Sequence, residues 1–515
     1  MQLHEAAQAL NARAVGADVA LGAVSSDSRN LPPGCLFVAL KGPRFDGHAF
    51  AAKALENGAA AVMVAADAGL SVAPALVVDD TRIGLGRLAA WHRSRMPAKL
   101  AAITGSNGKT TVKEMLAAIF TAEASEGAVL ATADNLNNDI GMPLTLLQLT
   151  PEHRYAAIEM GMNHLGEIAY LSDIARPDVA LVNNALRAHL EGLGSVEAVA
   201  RAKGEIYAGL KDDGIAIINA DDPHAGLWRD LVGSHRVMSF GFAEGADVRI
   251  GAYEGDVIPA QAGTTEFASA ITLHTPAGTI QTRLQVPGVH NLRNAAAAAA
   301  AALALGVSAD AVARGLAAYS GTKGRLQTHA CILGATLIDD TYNANPDSVL
   351  AAIQVLAARP GLRILVLGDM GELGANAAAL HREVGERARA AGIDRLLCLG
   401  EMSVNTVQGF GARASRPLQA EAGGTSALPA AAMHFERIEE LLAEIECALN
   451  PDVTVLVKGS RFMKMERVVK SFEEACPPPG STVGCAVRTS GRESVRTAHP
   501  TAVNESERGG QSQCY

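Results

Sequence analysis

The stretch Ala102–Lys113, AITGSNGKTTVK, decides the fold of the central part of this chain. A short apolar segment runs into a glycine-rich turn, and a helix-forming segment follows the turn. The common phosphate-binding loop, G-x-x-x-x-G-K-[ST], would place its first glycine at position 103, where this chain has Ile103. The first glycine here is Gly105, so the loop is two residues shorter than the common pattern.

The short loop still contains the groups that bind phosphate. Backbone amides at a helix N-terminus favour an anion, and glycines let the backbone approach it closely. Lys109 is expected to neutralise the β- and γ-phosphates of a nucleotide, and the Thr110 hydroxyl is a candidate ligand of Mg²⁺. An ordinary glycine turn beside a surface lysine is the alternative. The predicted nucleotide-binding residues of the loop are Thr104, Gly105, Ser106, Asn107, Gly108, Lys109, Thr110 and Thr111.

Composition limits the class of protein. The chain has 515 residues, 49% of them hydrophobic, which is enough for about three domains at ~150 residues each. A formal net charge of −10 argues against a general nucleic-acid partner. The seven cysteines form no C-x-x-C pair, the first residues lack a signal-peptide pattern, and the longest apolar run, 295–307, is too short to span a bilayer. We therefore expect a cytoplasmic protein without a membrane span.

The order of apolar runs and helical segments predicts an α/β fold with three domains and a tail. We expect a small α/β domain at 1–97 and a central domain at 98–324, with a mostly parallel sheet and a β-rich insert after Ser239. A Rossmann-like domain is expected at 325–476. Residues 477–515 lack apolar periodicity, which predicts a disordered tail.

Polar clusters follow the loop at domain-scale intervals. Glu159 lies at the predicted end of a strand, where its carboxylate is suited to Mg²⁺, which prefers hard oxygen ligands. A structural salt bridge is the alternative for Glu159. The guanine-reading motif N-K-x-D is absent from the sequence, which argues against a GTPase.

The loop is followed by a series of further motifs in a fixed order. Beginning with the loop itself, the series reads TGSNGKTT, NNDIGMPLTLL, EMGMNHLGEI, AHLEGLGS, AKGEIY, NADD, HNLRNA, GR and DDTYNANP. Taken together and in this order, these motifs resemble the Mur ligases, ATP-dependent amide-forming enzymes of peptidoglycan precursor synthesis. The resemblance covers about residues 20–470.

Within the family, the resemblance implies the member that joins D-alanyl-D-alanine to UDP-N-acetylmuramoyl-tripeptide through an acyl phosphate. The segment Ser25–Phe50 resembles a first domain that binds uridine diphosphate, and LVLGDMGELG resembles the same member. The sequence lacks the D-N-P-R motif of the ligase that adds a diamino acid. The alternatives are the ligase that adds a diamino acid, a ligase that adds glutamate to folate, and a non-catalytic nucleotide-binding homologue. We expect a monomer.

The resemblance also implies roles for residues beyond the loop. It places a second Mg²⁺ near His189 and makes Lys203 a carbamate, although the sequence alone would make Lys203 a helical surface lysine. Arg325 is expected at the γ-phosphate, Asp340 at the ribose, and Asn291 near the adenine; a helix N-cap is the alternative for Asn291. The predicted catalytic residues are Lys109, Lys203, His189 and Arg325, and the predicted metal ligands are Thr110, Glu159, His189 and Lys203.

The substrate-binding residues are predicted from the charge and polarity of their side chains. Basic side chains suit a diphosphate, and polar side chains beside the third domain suit D-alanyl-D-alanine, although an Asn/Pro turn would also explain the second group. For the UDP-linked substrate the candidates are Ser28, Arg29, Lys41, Arg44, Asp46 and His48; for D-alanyl-D-alanine they are Tyr342, Asn343 and Asn345. Asn138 is a further substrate-binding candidate that is not assigned to either substrate.

Overall fold

The computed structural model describes residues 1–43, 45–259, 265–411 and 431–473, without the side chains of 254–259 and 265–268. Arg44 and the tail predicted at 477–515 lie outside the described residues. In the described part of the chain, no helix combines the length and apolar character that crossing a bilayer requires.

The N-terminal part of the chain forms a five-stranded sheet with the order β1-β7-β6-β3-β2. Strand β1 is antiparallel to β7, and the other pairs are parallel. Apolar residues of β3, β6 and α3 fill its core, as the apolar runs of the sequence predict. The elements are α1 (Leu3–Leu10), β1 (Arg13–Val15), β2 (Val24–Ser25), β3 (Leu36–Val38), β4 (Lys41–Gly42), β5 (Phe45–Asp46), α2 (Ala51–Glu56), β6 (Ala61–Ala65), β7 (Ala75–Val78) and α3 (Thr81–Ser94).

The central part forms a nine-stranded sheet with the order β16-β15-β14-β13-β12-β11-β8-β10-β9. Strands β8 to β14 pair in parallel, and β14, β15 and β16 pair antiparallel. The elements are β8 (Lys99–Thr104), α4 (Lys109–Ala124), β9 (Val129–Ala131), α5 (Gly141–Leu146), β10 (Tyr155–Glu159), α6 (Glu167–Ala175), β11 (Val179–Val182), α7 (Leu190–Leu193), α8 (Val196–Gly204), β12 (Ile215–Asn219), α9 (Ala225–Val232), β13 (Arg236–Gly241), β14 (Val248–Pro259), β15 (Thr265–Thr275), β16 (Gly278–Leu284), α10 (Val289–Ala304) and α11 (Ala309–Ala318).

Two features of this sheet position the loop. Strand β8 lies between β11 and β10, so the chain reverses its direction of travel across the sheet beside the loop. In open α/β sheets, the crevice at such a point is where ligands bind. The β-rich insert is not separate, because its three strands extend the same sheet.

The alanine-rich helix α10 packs across this sheet. Ala295–Ala302 are all fully buried, in one core with residues of α4 and α11. Alanine favours a helix and adds little volume, so the helix can lie close to its neighbours.

The C-terminal part forms a six-stranded sheet with the order β17-β18-β22-β19-β20-β21, parallel except for β17. Three sheets with helices between their strands therefore confirm the α/β fold class. The elements are β17 (Gln327–Ala330), β18 (Thr336–Asp340), α12 (Pro346–Ala357), β19 (Leu362–Gly368), α13 (Ala377–Ala390), β20 (Arg395–Leu399), α14 (Val404–Gly411), β21 (Ala432–Phe435), α15 (Ile438–Glu446), β22 (Val453–Lys458) and α16 (Glu466–Phe472).

Candidate active site

The loop between β8 and α4 has a backbone that only glycine adopts easily at two points. Gly105 has φ +154° and Gly108 has φ +80°. A Cβ atom on Gly108 would lie 2.4 Å from Oδ1 of Asn294 and 2.6 Å from Nδ2 of Asn183. The loop therefore packs closely against Asn183 and Asn294, which argues against an ordinary surface turn.

Thr110 and Glu159 meet where β8 and β10 end. The Thr110 hydroxyl donates a hydrogen bond of 2.8 Å to Oε2 of Glu159, and Nδ2 of Asn137 donates one of 2.7 Å to Oε1. Both Thr110 and Glu159 are buried. Glu159 has no cation as an ion-pair partner among the described residues, so the salt-bridge alternative finds no support there.

Arg325 approaches this pair from a distant part of the chain. Its Nη2 donates a hydrogen bond of 2.8 Å to Oγ1 of Thr110, and its guanidinium lies 4.2 Å from the centre of the Tyr342 ring. Its Nε is buried without a hydrogen-bond partner among the described residues. A buried guanidinium N–H without an acceptor is suited to an anionic ligand.

Lys109 folds back over the loop. Its Nζ donates hydrogen bonds to the carbonyl oxygens of Gly105 at 2.7 Å and Ser106 at 3.4 Å. Burial lowers the pKa of Lys109, while the nearby Glu159 carboxylate opposes this shift. The ammonium therefore lies in surroundings with little water, where its attraction for phosphate is strong.

Lys203 lies near the end of α8 and is only 1% exposed. No hydrogen bond or ion pair involves its Nζ within the described ranges. Burial is the main cause that holds the pKa of Lys203 well below its usual value, with a smaller contribution from the Lys109 charge. The sequence-only interpretation as a surface lysine is therefore wrong. Helical periodicity alone does not reveal which neighbouring segment covers a residue.

His189 and Glu372 form a pair that the sequence does not predict. Nδ1 of His189 lies 2.8 Å from Oε2 of Glu372, and this contact lowers the pKa of Glu372. Both residues have positive φ angles, +56° and +61°, which are uncommon outside glycine and often mark functional sites. The histidine follows β11 and the glutamate follows β19.

A network of asparagine side chains holds the phosphate-binding loop through hydrogen bonds. Asn183 donates from Nδ2 to the Asn107 carbonyl oxygen at 2.9 Å and to Oδ1 of Asn294 at 2.9 Å. Asn184 accepts a hydrogen bond of 2.9 Å from the Asn107 backbone N–H. Asn294 in turn donates to Oδ1 of Asn291 at 3.0 Å. Asn183 and Asn184 are not among the residues predicted from the sequence, although both follow β11 at the carboxyl edge of the sheet.

Asn291 and Asp340 are both fixed by protein contacts. Nδ2 of Asn291 donates to the Pro287 carbonyl oxygen at 2.7 Å. Nζ of Lys458, another residue that the sequence-based reasoning missed, donates to Oδ2 of Asp340 at 2.7 Å. Burial raises the pKa of Asp340, although the Lys458 ammonium works in the opposite direction.

The residues predicted to bind D-alanyl-D-alanine separate into different roles. Tyr342 faces Arg325, as described above. Asn345 caps α12 by accepting from the Ser348 N–H at 2.9 Å, and it also exchanges two amide hydrogen bonds, of 2.7 and 3.2 Å, with Asn107. Asn343 is exposed, and its Oδ1 accepts from the Ala344 N–H. The turn alternative therefore describes part of what Asn343 and Asn345 do.

The residues predicted for the UDP-linked substrate, apart from Arg44, have the following contacts and exposure. Nδ1 of His48 lies 2.6 Å from Oδ1 of Asp46, and Nε2 accepts a hydrogen bond of 2.9 Å from the Ala65 N–H. Arg29 forms a two-point ion pair with Asp27. Of the remaining described candidates, Ser28 is partly exposed and Lys41 is exposed. Asn138, predicted to bind substrate without assignment to either one, accepts at Oδ1 from the Ile140 and Gly141 N–H groups.

The four predicted metal ligands supply oxygen donors at one place only, at Thr110 and Glu159. Within the described ranges, no group of three or more histidine, cysteine or acidic side chains could hold a metal ion. Mg²⁺ commonly binds through one or two protein carboxylates and substrate phosphates, keeping several waters. The hydroxyl–carboxylate pair fits that mode of binding and does not fit a metal held by protein alone.

Comparisons with known proteins agree with this geometry. The sequence matches the family profiles "Mur ligase family, catalytic domain" at residues 21–98, "Mur ligase middle domain" at 103–302 and "Mur ligase, glutamate ligase domain" at 324–461. The UDP-N-acetylmuramoyl-tripeptide–D-alanyl-D-alanine ligase of Escherichia coli K12 is 46% identical over 467 residues, which cover 90% of this chain and 96% of that relative.

Solved structures give the same result. A crystal structure of MurF from Acinetobacter baumannii matches with a TM-score of 0.78 and 35% identity, covering 91% of this chain and 98% of that one. MurF ligase from Thermotoga maritima in complex with ADP matches with a TM-score of 0.72 and 26% identity, covering 87% and 96% of the two chains. Because three Mur ligase profiles match this chain and the Escherichia coli ligase is 46% identical to it over 90% of its length, the chain belongs to the Mur ligase family.

Proposed function

We propose that this chain is an ATP-dependent ligase that joins D-alanyl-D-alanine to UDP-N-acetylmuramoyl-tripeptide, giving the pentapeptide precursor of peptidoglycan. The observation that carries the proposal is the 46% identity, over 90% of this chain, to the Escherichia coli ligase with that name. The contact between Arg325 and Thr110 supports the proposal, because it brings a cation from the start of the C-terminal part of the chain to the phosphate-binding loop.

The reaction proceeds in two balanced steps. The tripeptide carboxylate attacks the γ-phosphorus of ATP, the bond to the bridging oxygen breaks, and ADP leaves with the electron pair. The neutral amine of D-alanyl-D-alanine then attacks the acyl carbon, the bond from this carbon to the phosphate oxygen breaks, and the amine proton ends on the departing phosphate. The protein contributes positioning and neutralisation of the crowded anionic groups.

The residues of the site divide this work. Lys109 and Arg325 neutralise phosphate charge, and the loop amides orient the phosphates. Thr110 and Glu159 would hold Mg²⁺, which supplies further charge neutralisation when bound. Asp340 is placed by Lys458 to accept from ribose hydroxyls, and Asn291 lies at the start of α10, where the adenine is expected.

Further parts of the prediction remain proposals. His189 would lie near a second Mg²⁺, and Lys203 would become a carbamate, for which a buried amine with no hydrogen-bond partner among the described residues is suitable. The candidates for the UDP-linked substrate remain Ser28, Arg29, Lys41, Arg44, Asp46 and His48, and those for the dipeptide remain Tyr342, Asn343 and Asn345. Asn138 remains a substrate-binding candidate that is not assigned to either one. The domain limits 1–97, 98–324 and 325–476, the monomeric state and the cytoplasmic location also remain proposals.

A steady-state assay of ADP release tests the proposed function. With UDP-N-acetylmuramoyl-tripeptide present, we expect release to require D-alanyl-D-alanine. Release supported equally well by glutamate, or by a diamino acid with the UDP-linked dipeptide, would contradict the proposal and favour another ligase of this family. No release under any condition would favour a non-catalytic nucleotide-binding homologue.

A further inference from the structure

Arg187 follows β11 in the central part of the chain and contacts two helices of the C-terminal part, α12 and α13. Its backbone N–H donates to Oδ2 of Asp347 at 2.8 Å, and its Nη2 donates to Oδ1 of the same carboxylate at 2.7 Å. Its Nη1 donates to Oε2 of Glu383 at 2.7 Å. Asp347 lies in the first turn of α12 and Glu383 lies in α13, so one arginine connects three parts of the chain.

The segment that bears Arg187 is the same segment that supports the phosphate loop. The Ser106 backbone N–H donates to the Asn184 carbonyl oxygen at 3.0 Å, and the Leu186 N–H donates to the Ser106 hydroxyl oxygen at 2.9 Å. One residue further along is Arg187. A displacement of Arg187 would therefore also move the backbone that holds the phosphate-binding loop in place.

A second contact joins the same two parts. Asn107, within the loop, exchanges two amide hydrogen bonds with Asn345, which caps α12. Asp347 lies two residues after this cap. The N-terminal turn of α12 is thus held at two points. Asn107 of the loop contacts Asn345, and Arg187 contacts Asp347.

The charges of this cluster favour a strong contact. Arg187, Asp347 and Glu383 have side chains that are 25%, 21% and 33% exposed, respectively. Hydrogen bonding to Asp347, followed by that to Glu383, raises the pKa of Arg187 against the effect of burial. A two-point arginine–carboxylate contact fixes geometry as well as adding attraction.

We infer that Arg187, Asp347 and Glu383 are positioning residues that dock α12 and α13 against the phosphate loop. Docking brings Arg325 to Thr110, so the same contact completes the site on which the proposed ATP-dependent reaction relies. The structural part of the inference stands without that function, and only its kinetic part rests on it.

Small-angle X-ray scattering of the ligand-free protein tests the structural part. We expect Arg187→Gln and Asp347→Asn to increase the radius of gyration relative to the wild type, and added salt to do the same to the wild type by screening the charges. The matched control is the pair Arg363–Asp394, in which an arginine likewise contacts one aspartate through its backbone N–H and guanidinium, within the C-terminal segment. Arg363→Gln should leave the radius unchanged.

Kinetics test the remaining part. Each single variant should lower kcat/KM for ATP by about tenfold, within the range of typical coupling between two sites. The double variant should be no worse than Arg187→Gln alone, because that variant already removes the side-chain contact with Asp347. Arg187→Lys, which keeps the charge but not the two-point geometry, should restore part of the loss.

An unchanged radius of gyration for both variants, an equal expansion in Arg363→Gln, or additive losses in the double variant would overturn the inference. A compact wild type that expands on substitution but shows no ligase activity would instead count against the proposed function alone.

Discussion

The Thr110 hydroxyl donates a hydrogen bond of 2.8 Å to Oε2 of Glu159, which joins the first turn of α4 to the end of β10. The two residues belong to neighbouring parallel strand–loop units, since β8 and β10 pair in register up to Ile103 and Glu159. The carboxyl ends of parallel strands meet at one edge of a sheet, so the hydroxyl and the carboxylate are brought together by topology. Their oxygens form the hard donor set that Mg²⁺ prefers.

Glu159→Gln removes the charge of this donor set while keeping its shape. We expect kcat to fall by about a hundredfold, because metal-assisted charge neutralisation contributes several kcal/mol to such reactions. The measurement is kcat as a function of Mg²⁺ concentration. Glu123→Gln serves as the control, since Glu123 contacts the Ser308 hydroxyl near the far end of α4. An unchanged Mg²⁺ dependence in the Glu159 variant would remove this residue from the metal site.

Gly108→Ala tests whether the loop geometry is needed for nucleotide binding. The added Cβ would meet Asn294 and Asn183 at 2.4 and 2.6 Å, and the φ of +80° disfavours any residue with a side chain. Strain of this kind costs about 1–3 kcal/mol, so the Kd for ADP should rise by about fivefold to about 160-fold. Isothermal titration calorimetry measures this change directly.

Gly226→Ala is the matched control for the loop variant. Gly226 lies in α9, has no strained φ, and would place its Cβ in open space. Alanine favours a helix over glycine by about 1 kcal/mol, so this variant should bind ADP normally and unfold at the same or a higher temperature. Equal ADP binding by both variants would show that the loop tolerates a side chain at Gly108.

Lys203→Ala should greatly lower kcat if the buried amine carries a carbamate. We expect the wild type to lose activity when CO₂ is removed, whereas the variant's residual activity should not respond to bicarbonate. Carbon-13 NMR after addition of labelled bicarbonate should show a carbamate signal in the wild type only. Lys113→Ala is a control of similar burial, since Lys113 is 2% exposed and pairs with Glu114. Full activity of the Lys203 variant would refute the assignment.

Sequence patterns were sufficient where the chemistry lies at a strand end. Lys109, Thr110 and Glu159 follow β8 or end β10, so a motif beside an apolar run locates them. The same rule could have found Asn183 and Asn184, which follow β11 directly.

Other contacts require the folded chain. His189 with Glu372, and Arg187 with Asp347, join segments far apart in sequence, and no spacing rule predicts which loops meet. The burial of Lys203 is of the same kind, because other segments cover its helix. The sequence therefore predicts the fold class and the nucleotide end of the site, whereas the contacts that hold the segments together depend on tertiary packing.

His290 provides a test based on pH. Burial, followed by the charges of Lys458 and Arg293, lowers the pKa of His290 from 6.5 to about 4. The unfolded chain therefore binds a proton between these two values while the folded chain does not, so stability falls as the pH drops through this window. Between pH 7 and pH 5 this one group should lower the free energy of unfolding by about 2 kcal/mol.

Urea unfolding of the wild type and of His290→Gln at pH 7 and pH 5 measures this contribution. The variant should lose less stability on acidification, because glutamine takes up no proton. His274→Gln, which replaces an exposed histidine of β15, is the control substitution. Nucleotide bound beside Lys458 would bring negative charge close to His290, which should raise the histidine pKa. An NMR titration of the ring with and without ADP would detect that shift, and a ring that titrates near 6.5 in the ligand-free protein would contradict its burial among cations.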